Sequence, residues 1–260
     1  PQTELRPHTW WFLVVGHVPY KGFFSKSEAQ SEAERLHKQG YDTTIRTSAA
    51  FSTLGWFDDP LLSHLLRFDK IALSEVVFHE LFHNTLYIKG AGAFNESAAN
   101  FIGHRATIDF FAQRFGHESA EHRRAVQLWQ EELEFAGFIE DLIVDLSALY
   151  RRNIAKKDKL RLREAVFARS QSEWARRIAT RPAHRFRGFS QQPLNNAVLM
   201  HYGVYLKNLQ LFESLYELED RNLVRTIDAL EQSTQNGGEP FGALRSWLTK
   251  HKTGAIEQAG

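Results

Sequence analysis

Residues 69–100 read DKIALSEVVFHELFHNTLYIKGAGAFNESAAN. The stretch is expected to form two helices around a glycine turn. Asp69 can cap the first, which should run to about Ile88, with Gly90 and Gly92 breaking it. Asn95 can cap the second, expected to end near Gly116. Residues four apart share one face of a helix, so the imidazoles of His79 and His83 can reach a single ion. Glu80 sits next in angle, close enough to touch a water on that ion without binding the ion itself. Val76, Val77, Phe78, Leu81, Phe82 and Leu86 are expected to fill the buried sides of the helix. Two histidines and a glutamate on so apolar a segment need partners, because buried polar groups without them are costly.

A third ligand follows the glycine turn. Glu96 opens the second helix, and the small residues Ala98 and Ala99 allow that helix to lie close against the first. A carboxylate at a helix start also has a blander use, as a complement to the helix dipole. The chain has no cysteine, which excludes thiolate ligands and a disulfide framework. Zinc then takes imidazole and carboxylate, and two His with one Glu and an open fourth position make a catalytic rather than a structural site. The competing readings of the motif are a pair of hydrogen-bonded core histidines and a zinc-dependent binding protein without turnover. Of the twelve histidines, the nine besides His79, His83 and His201 show no paired ligand spacing among themselves.

Around this stretch the sequence suggests an α+β fold: a small mixed sheet packed on the metal-binding helices, then a mostly helical C-terminal half. Trp10–Val18 is a near-continuous apolar run that suits a buried strand. Ser25 and Glu28 form a capping-box pattern for a helix to about Lys38. Residues 41–47 and 51–56, rich in Thr and aromatics, read as further strands. Long helices are expected at about 118–150, rich in Asp and Glu, and 156–179, rich in Lys and Arg. The division expected is a catalytic core over 1–116 and a helical lobe over 117–260.

The net charge of +1 offers no bulk attraction to nucleic acid, although residues 151–187 carry 13 Lys/Arg against 3 Asp/Glu. Arg176, Arg177, Arg181, Arg185 and Arg187, with Trp174 and Phe186 among them, could form a phosphate-binding surface. Pairing with the preceding acidic helix is the stronger reading, so no nucleic-acid partner is expected. No apolar run approaches the roughly 18 residues of a membrane span. Pro1 opens the chain without a Met or a signal-like run, which reads as a processed form.

Several blocks carry a resemblance: VPYKGFF (Val18–Phe24), STLGWFDDPLLS (Ser52–Ser63), FHELFHNTLYIKG (Phe78–Gly90), FNESAANFIG (Phe94–Gly103) and NNAVLMHYGVY (Asn195–Tyr205). In these the chain resembles the bacterial putative zinc aminopeptidase family, relatives of the gluzincin metallopeptidases. The resemblance implies a zincin-like fold, one zinc on His79, His83 and Glu96, Glu80 as general base, and a peptide substrate. Family members often begin with a lipoprotein-type signal, which implies the bacterial periplasm or cell envelope, with the cytoplasm as the alternative. An oxyanion donor besides the metal is needed. Tyr205 is the candidate, with Tyr202 and His201 as alternatives and a plain core aromatic as the blander reading. Zincins commonly pair substrate along a sheet edge, which puts Thr53, Leu54 and Gly55 on the substrate, or in an ordinary core strand. An aminopeptidase needs an acidic anchor for the substrate amine, and Asp58 and Asp59 follow directly; they could equally shape the turn before Pro60. Asn95 and Asn100 could orient the metal carboxylate, and Tyr20 and Lys21 could serve as polar handles on a cleft wall. An endopeptidase is the alternative within the enzyme class.

Overall fold

The computed structural model describes residues 1–12, 16–18, 20–46 and 67–258. Two short strands come first, β1 (Trp10–Phe12) and β2 (Gly16–Val18), then nine helices among the described residues: α1 (Lys26–Lys38), α2 (Lys70–Thr85), α3 (Gly92–Phe115), α4 (Ala120–Arg151), α5 (Lys156–Arg177), α6 (Asn196–Tyr205), α7 (Leu209–Leu218), α8 (Leu223–Thr234) and α9 (Pro240–Gln258). A single 3-10 turn, Arg187–Ser190, lies between α5 and α6. No helix among the described residues is long and apolar enough to cross a membrane.

The expected α+β fold is overturned. Among the described residues the β structure is one antiparallel hairpin, and all other regular structure is helical. The apolar run Trp10–Val18 is not one strand. It folds back on itself, pairing Trp10 with Val18, Trp11 with His17 and Phe12 with Gly16. Residues 41–46 form no strand either; Arg163 of α5 and the two asparagines where α6 begins meet their polar groups instead. Thr43 O accepts from Asn195 Nδ2 at 3.0 Å, and the Asp42 carboxylate accepts from Arg163 at 2.8 Å and from the Asn196 backbone N–H at 3.0 Å. The expected strand 51–56 lies outside the described residues. The helix expectations fare better in outline. Ser25 does stand at the α1 cap position, but it makes no cap bond there; its hydroxyl lies 2.7 Å from that of Ser27.

The chain divides into two compact units. The first comprises Pro1–Thr47 and Gln130–Val204, the second Ser48–Trp129 and Tyr205–Gly260. Its core in the first unit is aromatic: Phe135 stacks on Phe186 at 4.0 Å and meets Trp174 edge-on at 4.9 Å. Acidic and basic side chains pair there, Arg181 with Glu134 at 2.6 Å, Arg169 with Asp145 at 2.7 Å and Arg185 with the buried Glu132 at 3.3 Å. In the second unit, Phe94, Phe101, Phe111, Trp129, Phe212 and Leu244 are fully or almost fully buried. There Phe101 stacks on Phe212 at 5.7 Å, and Glu213 accepts from Trp129 Nε1 at 3.0 Å while pairing with Arg105.

Candidate metal centre

Helix α2 begins where Asp69 caps it, its carboxylate accepting from the backbone N–H of Ile71 and Ala72 at 2.9 Å each. It ends at Thr85, three residues earlier than its apolar pattern suggests, with Leu86 extended. Gly90, at φ +81°, reverses the chain, a left-handed conformation that glycine takes without steric cost. Asn95 is not the cap of α3. The helix starts at Gly92, and the buried Asn95 side chain reaches back across the turn to Ile88. Its Oδ1 accepts from Ile88 N at 3.0 Å and its Nδ2 donates to Ile88 O at 2.8 Å. This pincer fixes where α3 leaves the turn, and so where Glu96 stands.

The turn lays α3 back against α2, antiparallel. Glu96 meets His83 near the turn, and Gly103, seven residues on, meets Glu75, eight residues before His83. Ala98 and Ala99 are completely buried. Of the residues expected to fill the buried sides of α2, Phe82 is buried, whereas Leu81 is 55% exposed. Leu81 lies opposite the His79 face, so its hydropathy says nothing of its direction.

The three expected ligands converge. His79 Nε2 lies 3.3 Å from Glu96 Oε2 and 3.2 Å from His83 Nε2, and His83 Nε2 is 3.7 Å from Glu96 Oε2. An ion bonded to three such atoms at about 2.0–2.1 Å in tetrahedral geometry would hold them about 3.3 Å apart. The spacing and the donor chemistry therefore fit a zinc ion. Two imidazole nitrogens this close also need a proton or a cation between their lone pairs. Burial alone would raise the Glu96 carboxyl, but hydrogen bonds and charge from His79 and His83 outweigh it and hold it at about 2. The carboxylate is thus an anion ready to bind. Among the described residues this is the one group of three or more such side chains with ligand atoms so close. His83 Nδ1 is buried without a hydrogen-bond partner among the described residues, so packing and its Nε2 contacts orient that ring.

Glu80, half-buried, follows His79 on the helix and engages neighbouring groups. Tyr205 lies at the end of α6 with its ring 6.2 Å from that of His79. Helix α3 holds this stretch by its backbone: Asn100 Nδ2 donates to Tyr205 O at 3.2 Å, and Ser97 Oγ accepts from Lys207 N at 3.0 Å. Asn100 therefore secures the Tyr205 backbone. Of the alternatives, Tyr202 packs edge-on to Phe135 at 5.0 Å with its hydroxyl accepting from Gln192 at 3.0 Å, and His201 lies 5.9 Å from Tyr202. Tyr20 is exposed, and Lys21 sits over the Phe23 ring at 5.1 Å. Thr53, Leu54, Gly55, Asp58 and Asp59 lie outside the described residues.

Sequence reading passed over several residues here. Gly103 lets the helix backbones meet beside His79. Glu75 and His104 make a buried contact one turn from the ligands, 3.1 Å between Oε1 and Nδ1. The Tyr87 hydroxyl is pushed up by burial and then by the negative charge of Glu96. One signal was available, the four-residue step from Glu75 to His79, which puts both on one face.

A family model described as "Putative aminopeptidase" matches residues 1–239. No curated protein and no solved structure was found to match the chain.

Proposed function

The chain belongs to this putative aminopeptidase family, and we propose that it is a zinc-dependent peptidase that removes N-terminal residues from peptides. His79, His83 and Glu96 would hold one zinc ion, a ligand set of the gluzincin type. The observation that carries this reading is the convergence of one Glu and two His donor atoms at spacings that suit a tetrahedral ion. When bound, zinc supplies Lewis acidity to the scissile carbonyl and lowers the pKa of a water ligand toward about 7.

The chain supplies the rest. Glu80, one position past His79, is turned about 100° from it around the helix. There it is close to the ligands without being one. It takes the proton of the attacking water and returns it to the leaving amine. A site that only bound a peptide would gain nothing from a carboxylate so placed. Tyr205, beside His79, donates its hydroxyl to the substrate carbonyl oxygen as that oxygen gains negative charge.

The test is a pair of matched peptides, one with a free and one with an acetylated N-terminus, given to zinc-loaded protein beside a Glu80→Gln control. Products are followed by mass. Stepwise loss of single residues from the free peptide alone, with the control silent, is the expected result. Internal cleavage of both peptides would make the protein an endopeptidase and keep the site. No cleavage, or equal cleavage by the control, would refute peptide hydrolysis by these residues.

A further inference from the structure

The helices that carry the metal residues meet backbone to backbone one turn away from them. A Cβ added at Gly103 would stand 2.8 Å from the Glu75 carbonyl oxygen and 3.3 Å from both the Cβ and the backbone N of His79. Real Cβ atoms do not approach below 3.0 Å, so any side chain here must move α2 from α3 by several tenths of an ångström. The next residue, His104, puts Nδ1 3.1 Å from Glu75 Oε1. Both side chains are almost fully buried, and the His104 ring lies 4.9 Å from the Trp129 indole.

These residues are in phase with the ligands. Glu75 is four residues before His79, and Gly103 seven after Glu96, so each lies on the same stripe of its helix as a ligand. We infer that this seam positions the metal site: Gly103 sets the separation of α2 and α3, and the Glu75–His104 pair sets their register. At that separation and register His79 Nε2 and Glu96 Oε2 stand 3.3 Å apart. The inference rests on the zinc reading above.

Two arguments make the seam more than packing. Metal–ligand distances tolerate about 0.2 Å, less than the shift a methyl group at Gly103 would force. A fold can absorb that shift along two long helices; three converging donor atoms cannot. A buried carboxylate–imidazole contact adds little net stability, but a register that pulls its partners apart carries the desolvation cost of both polar groups.

The experiment titrates cobalt(II) into the metal-free full chain. It reads affinity and the visible absorption bands of the ion, with helix content followed by circular dichroism. Gly103→Ala and His104→Gln test the seam. Gly92→Ala is the control, a glycine of the same helix with nothing within 4 Å of an added Cβ. Wild type and the control are expected to bind alike, with the intense bands of a four-coordinate ion. The seam variants should keep their helix content, bind about tenfold or more weakly, and show weakened or shifted bands. Should Gly103→Ala fail to fold, His104→Gln decides alone. If wild type binds and the seam variants match it in affinity and spectrum, the inference is overturned while the zinc site stands. If wild type itself takes up no cobalt, the zinc reading falls and the inference falls with it.

Discussion

Tyr205, the proposed oxyanion donor, is placed by its backbone. Asn100 and Ser97 hold the main chain at Tyr205 and Lys207, and the ring comes to rest beside His79. Tyr205→Phe keeps the ring and both backbone contacts and removes only the hydroxyl. The expected outcome is a fall in kcat of about 100- to 1000-fold, the usual cost of losing one oxyanion donor, with KM and zinc content nearly unchanged. Steady-state kinetics and metal analysis on the same preparation check it, and an unaltered kcat would remove Tyr205 from the chemistry. At this scale the convergence of His79, His83 and Glu96 was legible from spacing: the two histidines are four apart on one helix, and the glutamate follows the glycine turn that folds the next helix back. Asn95 was misread for a physical reason. An asparagine before a helical run satisfies backbone groups either as a cap or as a clamp on the preceding turn, and composition is the same in both cases. Gly103 was silent because a glycine inside a helix signals close approach only once the opposing backbone is known.

The same limit governs the elements. The apolar run Trp10–Val18 records burial or pairing but not the reversal that makes it a hairpin. Residues 41–46 look like a strand because of their residue types, yet the Asn195 side chain takes the Thr43 carbonyl that a neighbouring strand would use, and Arg163 of α5 and the Asn196 backbone N–H hold the Asp42 carboxylate. Tyr150 at the end of α4 belongs to that network, donating to Asn196 Oδ1 at 2.7 Å. Burial pushes its hydroxyl up from 10.0 to about 12. Below the unfolded value the phenol is neutral in both states and its contribution to stability is fully present. As pH rises from about 10 to about 12 the unfolded state loses this proton first, binds fewer protons than the folded state, and is favoured. Stability should therefore fall across that window. Tyr150→Phe should be less stable at neutral pH by about 1 kcal/mol, the worth of a hydrogen bond, and should show a shallower alkaline decline. Urea unfolding midpoints from about pH 8 upward measure both, and parallel declines in the two proteins would assign the alkaline loss to other groups.

For the whole molecule, sequence order is a poor guide to what packs with what. A division near residue 116 falls inside the second unit, which gathers residues up to Trp129 with others from Tyr205 onward. All three proposed ligands, Glu80 and Tyr205 lie in that unit. The proposed ligands, by contrast, come from two consecutive helices, so their convergence depends on local sequence spacing and not on which distant segments pack together. This arrangement makes the energetic effect of the metal local in a way that can be measured. An ion bound only by the folded state stabilises it by about 4 kcal/mol at a thousandfold excess over its Kd. The metal would join α2 to α3, so the openings it suppresses are those that separate these two helices. Amide hydrogen exchange on the zinc-loaded chain, before and after a chelator, should therefore show protection lost in Lys70–Thr85 and Gly92–Phe115. Helix α5, Lys156–Arg177, contains none of the proposed ligands and serves as the internal reference. A loss as large in α5 would mean that the ion stabilises the chain globally and not through the α2–α3 contact. No loss anywhere would mean that no ion bridges His79, His83 and Glu96.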